Sequence, residues 1–109
     1  MNVITRTELQ TRLSQEGTVV LEALPPAYYD AGHLPGAQNL PLDDIASRAA
    51  ELVPDPHATV ITYCSGPSCN NSRIAAEQLT KLGYRNVFAY EGGKEDWTGA
   101  GLPLESRTV

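Results

Sequence analysis

Positive charge is scarce in this chain: 8 Lys and Arg stand against 13 Asp and Glu in 109 residues, a formal net charge of -5. The cations form no cluster, which excludes the basic face that a nucleic-acid backbone requires. Cysteine is scarcer, with 2 in the chain, too few to build a disulfide scaffold. No apolar run approaches the ~20 residues of a membrane-spanning helix, so neither nucleic acid nor membrane is expected as a partner. Residues 1–8 lack the apolar stretch of a secretion signal. The expectation is a cytoplasmic protein whose thiols rest reduced. Ordinary apolar content and moderate charge argue against disorder, and the length suits one domain over residues 1–109 with a single core.

Strand and helix signals alternate with short connections, which argues for α/β layering around a mostly parallel sheet. Val3 and Ile4 suit a short first strand. Thr5 and Glu8 have capping-box spacing and predict a helix to about Gln15, stopped near Gly17. Residues 18–21, Thr-Val-Val-Leu, read as a continuous apolar strand of the kind buried on both faces. Pro25 and Pro26 end it and leave at most a short helix before Gly32. A third short strand fits residues 37–40. Asp43 is placed to cap a helix through Ile45, Ala49 and Leu52 that Pro54 and Pro56 stop. A strand from Val60, a helix through Leu82 ending at Gly83, a strand over 86–90 and a last short helix carrying Trp97 complete the chain.

The most informative segment is 60–73, Val-Ile-Thr-Tyr-Cys-Ser-Gly-Pro-Ser-Cys-Asn-Asn-Ser-Arg. Its β-branched start places Cys64 at the carboxyl end of a strand, where open parallel sheets form their sites. Small and turn-forming residues follow: Ser65, Gly66, Pro67, Ser68, Cys69, Asn70, Asn71 and Ser72. A helix begins beyond them. Loop amides and a helix N-terminus turned toward the thiol favour an anion, which predicts a lowered Cys64 pKa and a nucleophilic thiolate. The alternative is an inert cysteine ending a core strand, and the turn-rich loop argues against it.

Three stretches together resemble the single-domain rhodanese family of sulfurtransferases. Residues 29–41, Tyr-Asp-Ala-Gly-His-Leu-Pro-Gly-Ala-Gln-Asn-Leu-Pro, are similar to the family pattern Y-x-x-G-H-I-P-G-A-x-N-I-P. Thr62-Tyr63-Cys64 with its glycine-bearing loop and the Ala75-Ala76 helix is the second. Leu82-Gly83-Tyr84 to Val87, then Glu91-Gly92-Gly93, Trp97 and Ala100-Gly101-Leu102-Pro103, are similar to the closing pattern L-G-Y-x-x-V, L-x-G-G-x-x-x-W, A-G-L-P. The resemblance implies a three-layer α/β fold with a five-stranded parallel sheet between helices, and Cys64 as the residue that carries a persulfide.

Two departures stand out. Relatives with D-V-R at the end of the second strand have an arginine where this chain reads Glu22-Ala23-Leu24. A common loop form is C-R-x-G-x-R-S, whereas here the loop from Cys64 to Ser72 is two residues longer and holds neither arginine. Without them a dianion such as thiosulfate is held less well, because charge-assisted hydrogen bonds are lost.

The leading expectation is covalent, ping-pong sulfur transfer with no metal or organic cofactor. A small sulfur donor loads Cys64, and a thiol, cyanide or a partner protein's cysteine takes the sulfur away. Amides of the loop from Ser65 to Asn71 cradle the persulfide, helped by the Ser65, Ser68 and Ser72 hydroxyls. Cys69, in the same loop, is either a packing residue or a resolving thiol for Cys64. Arg73 is the only cation close by in sequence, a candidate for steering an anion, with a solvent-facing role preferred. His33 reads as a loop fastener, His57 as a solvated loop residue, and a zinc site from Cys64, Cys69, His33 and His57 is a poor fit because no second paired-cysteine motif exists. Trp97 reads as a core anchor, and one of Tyr28 and Tyr29 is expected inside. Two other reactions remain open: phosphatase-like or arsenate-reductase-like chemistry on the same fold, and a non-enzymatic redox-sensing or docking module using Cys64 and Cys69. Donor, acceptor and oligomeric state are not readable from the sequence.

Overall fold

The structure is a computed structural model that describes residues 2–106. Five parallel strands form one sheet in the order β1-β5-β4-β2-β3: β1 Asn2–Val3, β2 Thr18–Glu22, β3 Gln38–Asn39, β4 Thr59–Tyr63 and β5 Asn86–Tyr90. Helices α1 Arg6–Leu13, α2 Pro26–Ala31, α3 Ile45–Leu52, α4 Asn71–Lys81 and α5 Gly93–Gly99 connect or follow them. β4 pairs with β2 on one side and β5 on the other, so Cys64 emerges from the middle of the sheet.

Alternation along the central strands builds a core on each face. Val60 and Leu21 point to the side covered by α3 and α4, where they meet Ile45, Ala49, Ala75, Ala76 and Leu79. Ile61, Tyr63 and Val20 point to the opposite side, where Leu9 of α1 and Trp97 of α5 close the core. Trp97 is buried as expected, and its indole N–H donates to the Pro103 carbonyl at 2.8 Å.

Element by element, the boundaries shift in explicable ways. The Thr5 capping box forms, with the Glu8 N–H donating to Thr5 Oγ1 at 3.2 Å, but α1 ends at Leu13 rather than about Gln15. β2 runs one residue further than expected, to Glu22, and Val19 is only half-buried. Asp43 caps nothing: it lies within a single turn of 3-10 helix, Leu42–Asp44, and α3 starts from Asp44 without a side-chain cap bond. α4 begins at Asn71 and takes in Ser72 and Arg73, which shortens the irregular part of the cysteine loop to residues 65–70.

The extra strand residue matters most. Glu22 is 0% exposed and faces Tyr63 from the neighbouring strand. The Tyr63 hydroxyl donates to Glu22 Oε1 at 2.7 Å and accepts the Leu34 N–H at 3.0 Å. Oε2 receives no aligned hydrogen bond and is compensated by the Lys94 ammonium of α5, 3.1 Å away. That ammonium also donates to the Tyr28 carbonyl at 2.9 Å. Burial, reinforced by the Glu22 carboxylate, pushes the Tyr63 phenol far above its ordinary range, which favours its donor form.

A buried carboxylate deprived of its cation is costly. Lys94→Met is expected to lower unfolding free energy by ~3 kcal/mol, and adding Glu22→Gln, which keeps an acceptor for Tyr63, to restore most of it. Urea denaturation of the two single variants and the double variant measures this cycle. Equal stability of Lys94→Met and wild type would show that the charge is compensated some other way.

Candidate functional site

The cysteine loop is held from both sides. At its far end, the Thr62 hydroxyl donates to the Ser72 carbonyl at 2.8 Å, and Asn71 Nδ2 donates to the Ala23 carbonyl at 2.9 Å, which lashes the start of α4 to β4 and β2. On the near side, the first amides of α5 reach across: Lys94 N–H donates to the Cys64 carbonyl at 3.1 Å and Glu95 N–H to the Ser65 carbonyl at 2.9 Å. Gly93 makes this approach possible. It has φ +59, and a Cβ there would lie 2.5 Å from the Cys64 carbonyl oxygen and 2.8 Å from the Gly66 nitrogen, so only glycine fits.

Within that frame the two thiols lie together. The Cys69 N–H closes a turn onto the Gly66 carbonyl at 3.0 Å, which folds Cys69 back toward the strand end. The Cys64 thiol hydrogen-bonds the Cys69 carbonyl at 3.4 Å, and the two side chains interact directly. Cys64 is 1% exposed, whereas Cys69 is partly open. The N–H and hydroxyl of Ser72 face the Cys64 sulfur. That hydroxyl is itself buried and has no hydrogen-bond partner.

Expectation and structure part at this point. The loop was expected to lower the Cys64 pKa, but burial, and next the neighbouring Cys69 thiol, push it up despite the opposing Ser72 donors. At Cys69 the opposite holds. Partial burial raises its pKa, but the Cys64 thiol, the Asn71 and Ser65 amides and the Ser65 hydroxyl outweigh it, and the net shift is downward. Of the expected cradle, the Ser65 and Asn71 amides attend the second sulfur, while Cys64 is faced by the amide of Ser72. Of the other loop residues, Gly66 is buried while Pro67, Ser68 and Asn70 face solvent.

Arg73 is not a free anion receptor. Its guanidinium donates to Asn70 Oδ1 and lies 3.7 Å from the Glu91 carboxylate. His33 is a fastener, as expected: its ring stacks on Tyr29 at 3.8 Å, Nδ1 bonds the Tyr29 carbonyl at 2.8 Å, and its backbone pairs with Glu105. Tyr29 is the inner tyrosine, 8% exposed against 59% for Tyr28. His57 is exposed beside the start of β4, at the opposite end of that strand from Cys64. Glu22, Lys94 and Glu95 were not singled out from the sequence. Glu95 lies directly over Gly66, its carboxylate where a Gly66 Cβ would sit, and so brings negative charge to the loop. An ionisable pair split between a strand end and a distant helix has no local spacing to betray it.

Comparison with known proteins agrees with this geometry. A family model described as Rhodanese-like domain matches residues 5–100. Over 104 residues the chain is 35% identical to the HTH-type transcriptional regulator Rv0324 of Mycobacterium tuberculosis, covering 95% of this chain and 45% of that protein. It is 37% identical over 87 residues to the thiosulfate sulfurtransferase GlpE of Pseudomonas entomophila, covering 78% of this chain and 74% of the relative. Among solved structures, a thiosulfate sulfurtransferase from Pseudomonas aeruginosa superposes with TM-score 0.88 at 31% identity, over 100% of this chain and 21% of that one. The BH2092 protein from Bacillus halodurans gives 0.89 at 26%, over 97% and 77%. The chain spans 45%, 62% and 44% of the length of three of its curated relatives.

The thiol electrostatics are directly measurable. With limiting iodoacetamide, alkylation is expected to fall on Cys69 first, with a half-maximal rate at a pH below the ~8.5 of a free cysteine. Cys64 is expected to react only at higher pH or after denaturation. Peptide mapping across a pH series checks the order, and preferential labelling of Cys64 at low pH would reverse the assignment.

Proposed function

Given that this chain belongs to the rhodanese-like domain family, we propose that it is a sulfurtransferase that stores a sulfane sulfur as a persulfide on Cys64. The carrying observation is the Cys64 environment: a strand-end sulfur faced by the amide and the otherwise unpartnered hydroxyl of Ser72, at the N-terminus of α4. Deprotonated Cys64 attacks a sulfane sulfur, presented by the donor itself or by a thiol that the donor has loaded. A sulfur–sulfur bond forms on Cys64 as the donor's bond breaks, and the donor departs with the electron pair. An acceptor thiolate or cyanide then attacks the outer sulfur and returns the Cys64 thiolate. The Ser72 N–H and hydroxyl, with the helix dipole, stabilise the sulfur anion at each stage.

Two features disfavour dianionic donors. The loop holds no arginine, and the Glu95 carboxylate lies against Gly66. The same shortage disfavours phosphatase-like and arsenate-reductase-like chemistry, since Arg73, the cation nearest to the loop in sequence, is engaged by Asn70 and Glu91.

A second reading has its own observation. Two adjacent thiols, in a chain similar over 95% of its length to a transcriptional regulator, suit a sensor that closes a Cys64–Cys69 disulfide. In that case mild oxidant removes two hydrogens and no donor leaves sulfur on the protein.

Mass spectrometry after incubation with thiosulfate, 3-mercaptopyruvate and glutathione persulfide separates the readings. Sulfurtransferase function requires the gain of one sulfur atom, and Cys64→Ser is expected to lose the stable stored persulfide while keeping the fold. Thiosulfate is expected to be the weakest of the three. Ser65→Arg, by adding a charge-assisted hydrogen bond, is expected to raise its kcat/KM about tenfold. If thiosulfate is already the best donor, the electrostatic argument fails.

A further inference from the structure

The sulfur that is best placed to store a persulfide is the one least able to meet a donor. Cys64 is 1% exposed, and the Gly66 to Cys69 turn covers it. α5 amides bonded to the Cys64 and Ser65 carbonyls hold the near side of the loop, and Asn71 and Thr62 hold the far side. Cys69 sits in the cover itself, partly open to solvent, with its carbonyl on the Cys64 thiol and its side chain against it. Resting on the sulfurtransferase reading above, we propose that Cys69 is the thiol that first takes sulfur from the donor, and that Cys64 receives it from Cys69 in a second transfer inside the loop.

Each step balances without an added oxidant or reductant. Cys69 thiolate attacks the outer sulfur of a persulfide donor. The new bond forms on Cys69 Sγ, the donor's sulfur–sulfur bond breaks, and the donor thiolate leaves with the electron pair. The proton on the Cys64 thiol passes to that departing sulfur. Cys64 thiolate then attacks the outer sulfur on Cys69, the Cys69 bond breaks, and Cys69 regains its thiolate while Cys64 holds the persulfide. Only four residues lie between the two cysteines in sequence, so little chain entropy opposes their meeting.

The chain supplies a reason for each direction. Cys69 keeps the anion accessible, because the amides of Asn71 and Ser65 and the Ser65 hydroxyl attend its sulfur. Cys64 offers the better resting place, because a persulfide there gains the Ser72 hydroxyl, which is buried and without an oxygen or nitrogen partner. A sulfur stored under the turn is also shielded from stray nucleophiles. Delivery to an acceptor reverses the path through Cys69.

The test is a rapid-mixing time course with glutathione persulfide, quenched by alkylation, with the sulfur located by fragmentation mass spectrometry. Wild type is expected to carry sulfur on Cys69 first and on Cys64 later. Cys64→Ser is expected to take one sulfur on Cys69 and go no further. Cys69→Ser and Cys69→Ala, checked for wild-type thermal unfolding, are expected to load Cys64 at least about tenfold more slowly. Loading of Cys64 at the wild-type rate in both Cys69 variants would overturn the relay while leaving the sulfurtransferase reading intact. Early release of hydrogen sulfide with a Cys64–Cys69 disulfide would also overturn it, since one thiol would then be resolving the other's persulfide by attack on its inner sulfur instead of receiving the outer sulfur. No sulfur on wild type from any donor would remove the underlying reading as well.

Discussion

A carboxylate sealed from water at the end of β2 organises this end of the molecule. Glu22 has no exposure, and an unpaired charge in that position is among the most costly features a core can hold. Its compensation draws on three separate parts of the chain. Tyr63 comes from the adjacent strand, Lys94 from the helix that closes the sheet, and Leu34 and Tyr28 hold those two groups in turn through their backbones. Placing Lys94 there sets the start of α5 against the cysteine loop, where Gly93 allows contact that any side chain would prevent. The loop backbone is therefore clamped by a residue pair that has no part in sulfur chemistry.

At the loop, two familiar effects compete and the outcome differs between neighbours. A helix N-terminus is worth about 0.3–1 kcal/mol to an anion, and up to ~2 kcal/mol in partly buried geometry. Full burial opposes the charged form by several pKa units in the extreme. At Cys64 burial outweighs the Ser72 donors and the shift is upward. At Cys69 burial is partial, more donors are available, and the shift is downward. The loop thus divides a pair of thiols into a guarded sulfur and an accessible one. The division follows the turn from Gly66 to Cys69, which folds the second cysteine back toward the strand end.

Much of this protein was legible in the amino-acid order because it depends on local or periodic information. The Thr5 capping box, the strand alternation, the position of Cys64 after β4, the buried Trp97 and the fastening role of His33 all follow from residues close in sequence or from the family patterns of turn and glycine. The absence of loop arginines was equally plain. What the order of residues left open was decided by contacts across the fold. Asp43 is suitable chemistry for a cap, yet a 3-10 turn places Asp44 at the start of α3. The direction of each thiol's pKa shift depends on how deeply each sulfur is buried and which amides reach it, quantities set only once the sheet, α4 and α5 have closed around the loop. The Glu22–Lys94 pair joins residues far apart in the chain, and long-range pairing of that kind leaves no periodic trace. Sequence by itself determined the parallel α/β architecture and the sulfur-bearing loop, because these are written in local propensity. Tertiary structure alone decided which of the two sulfurs is shielded and which is open, because burial belongs to the assembled fold.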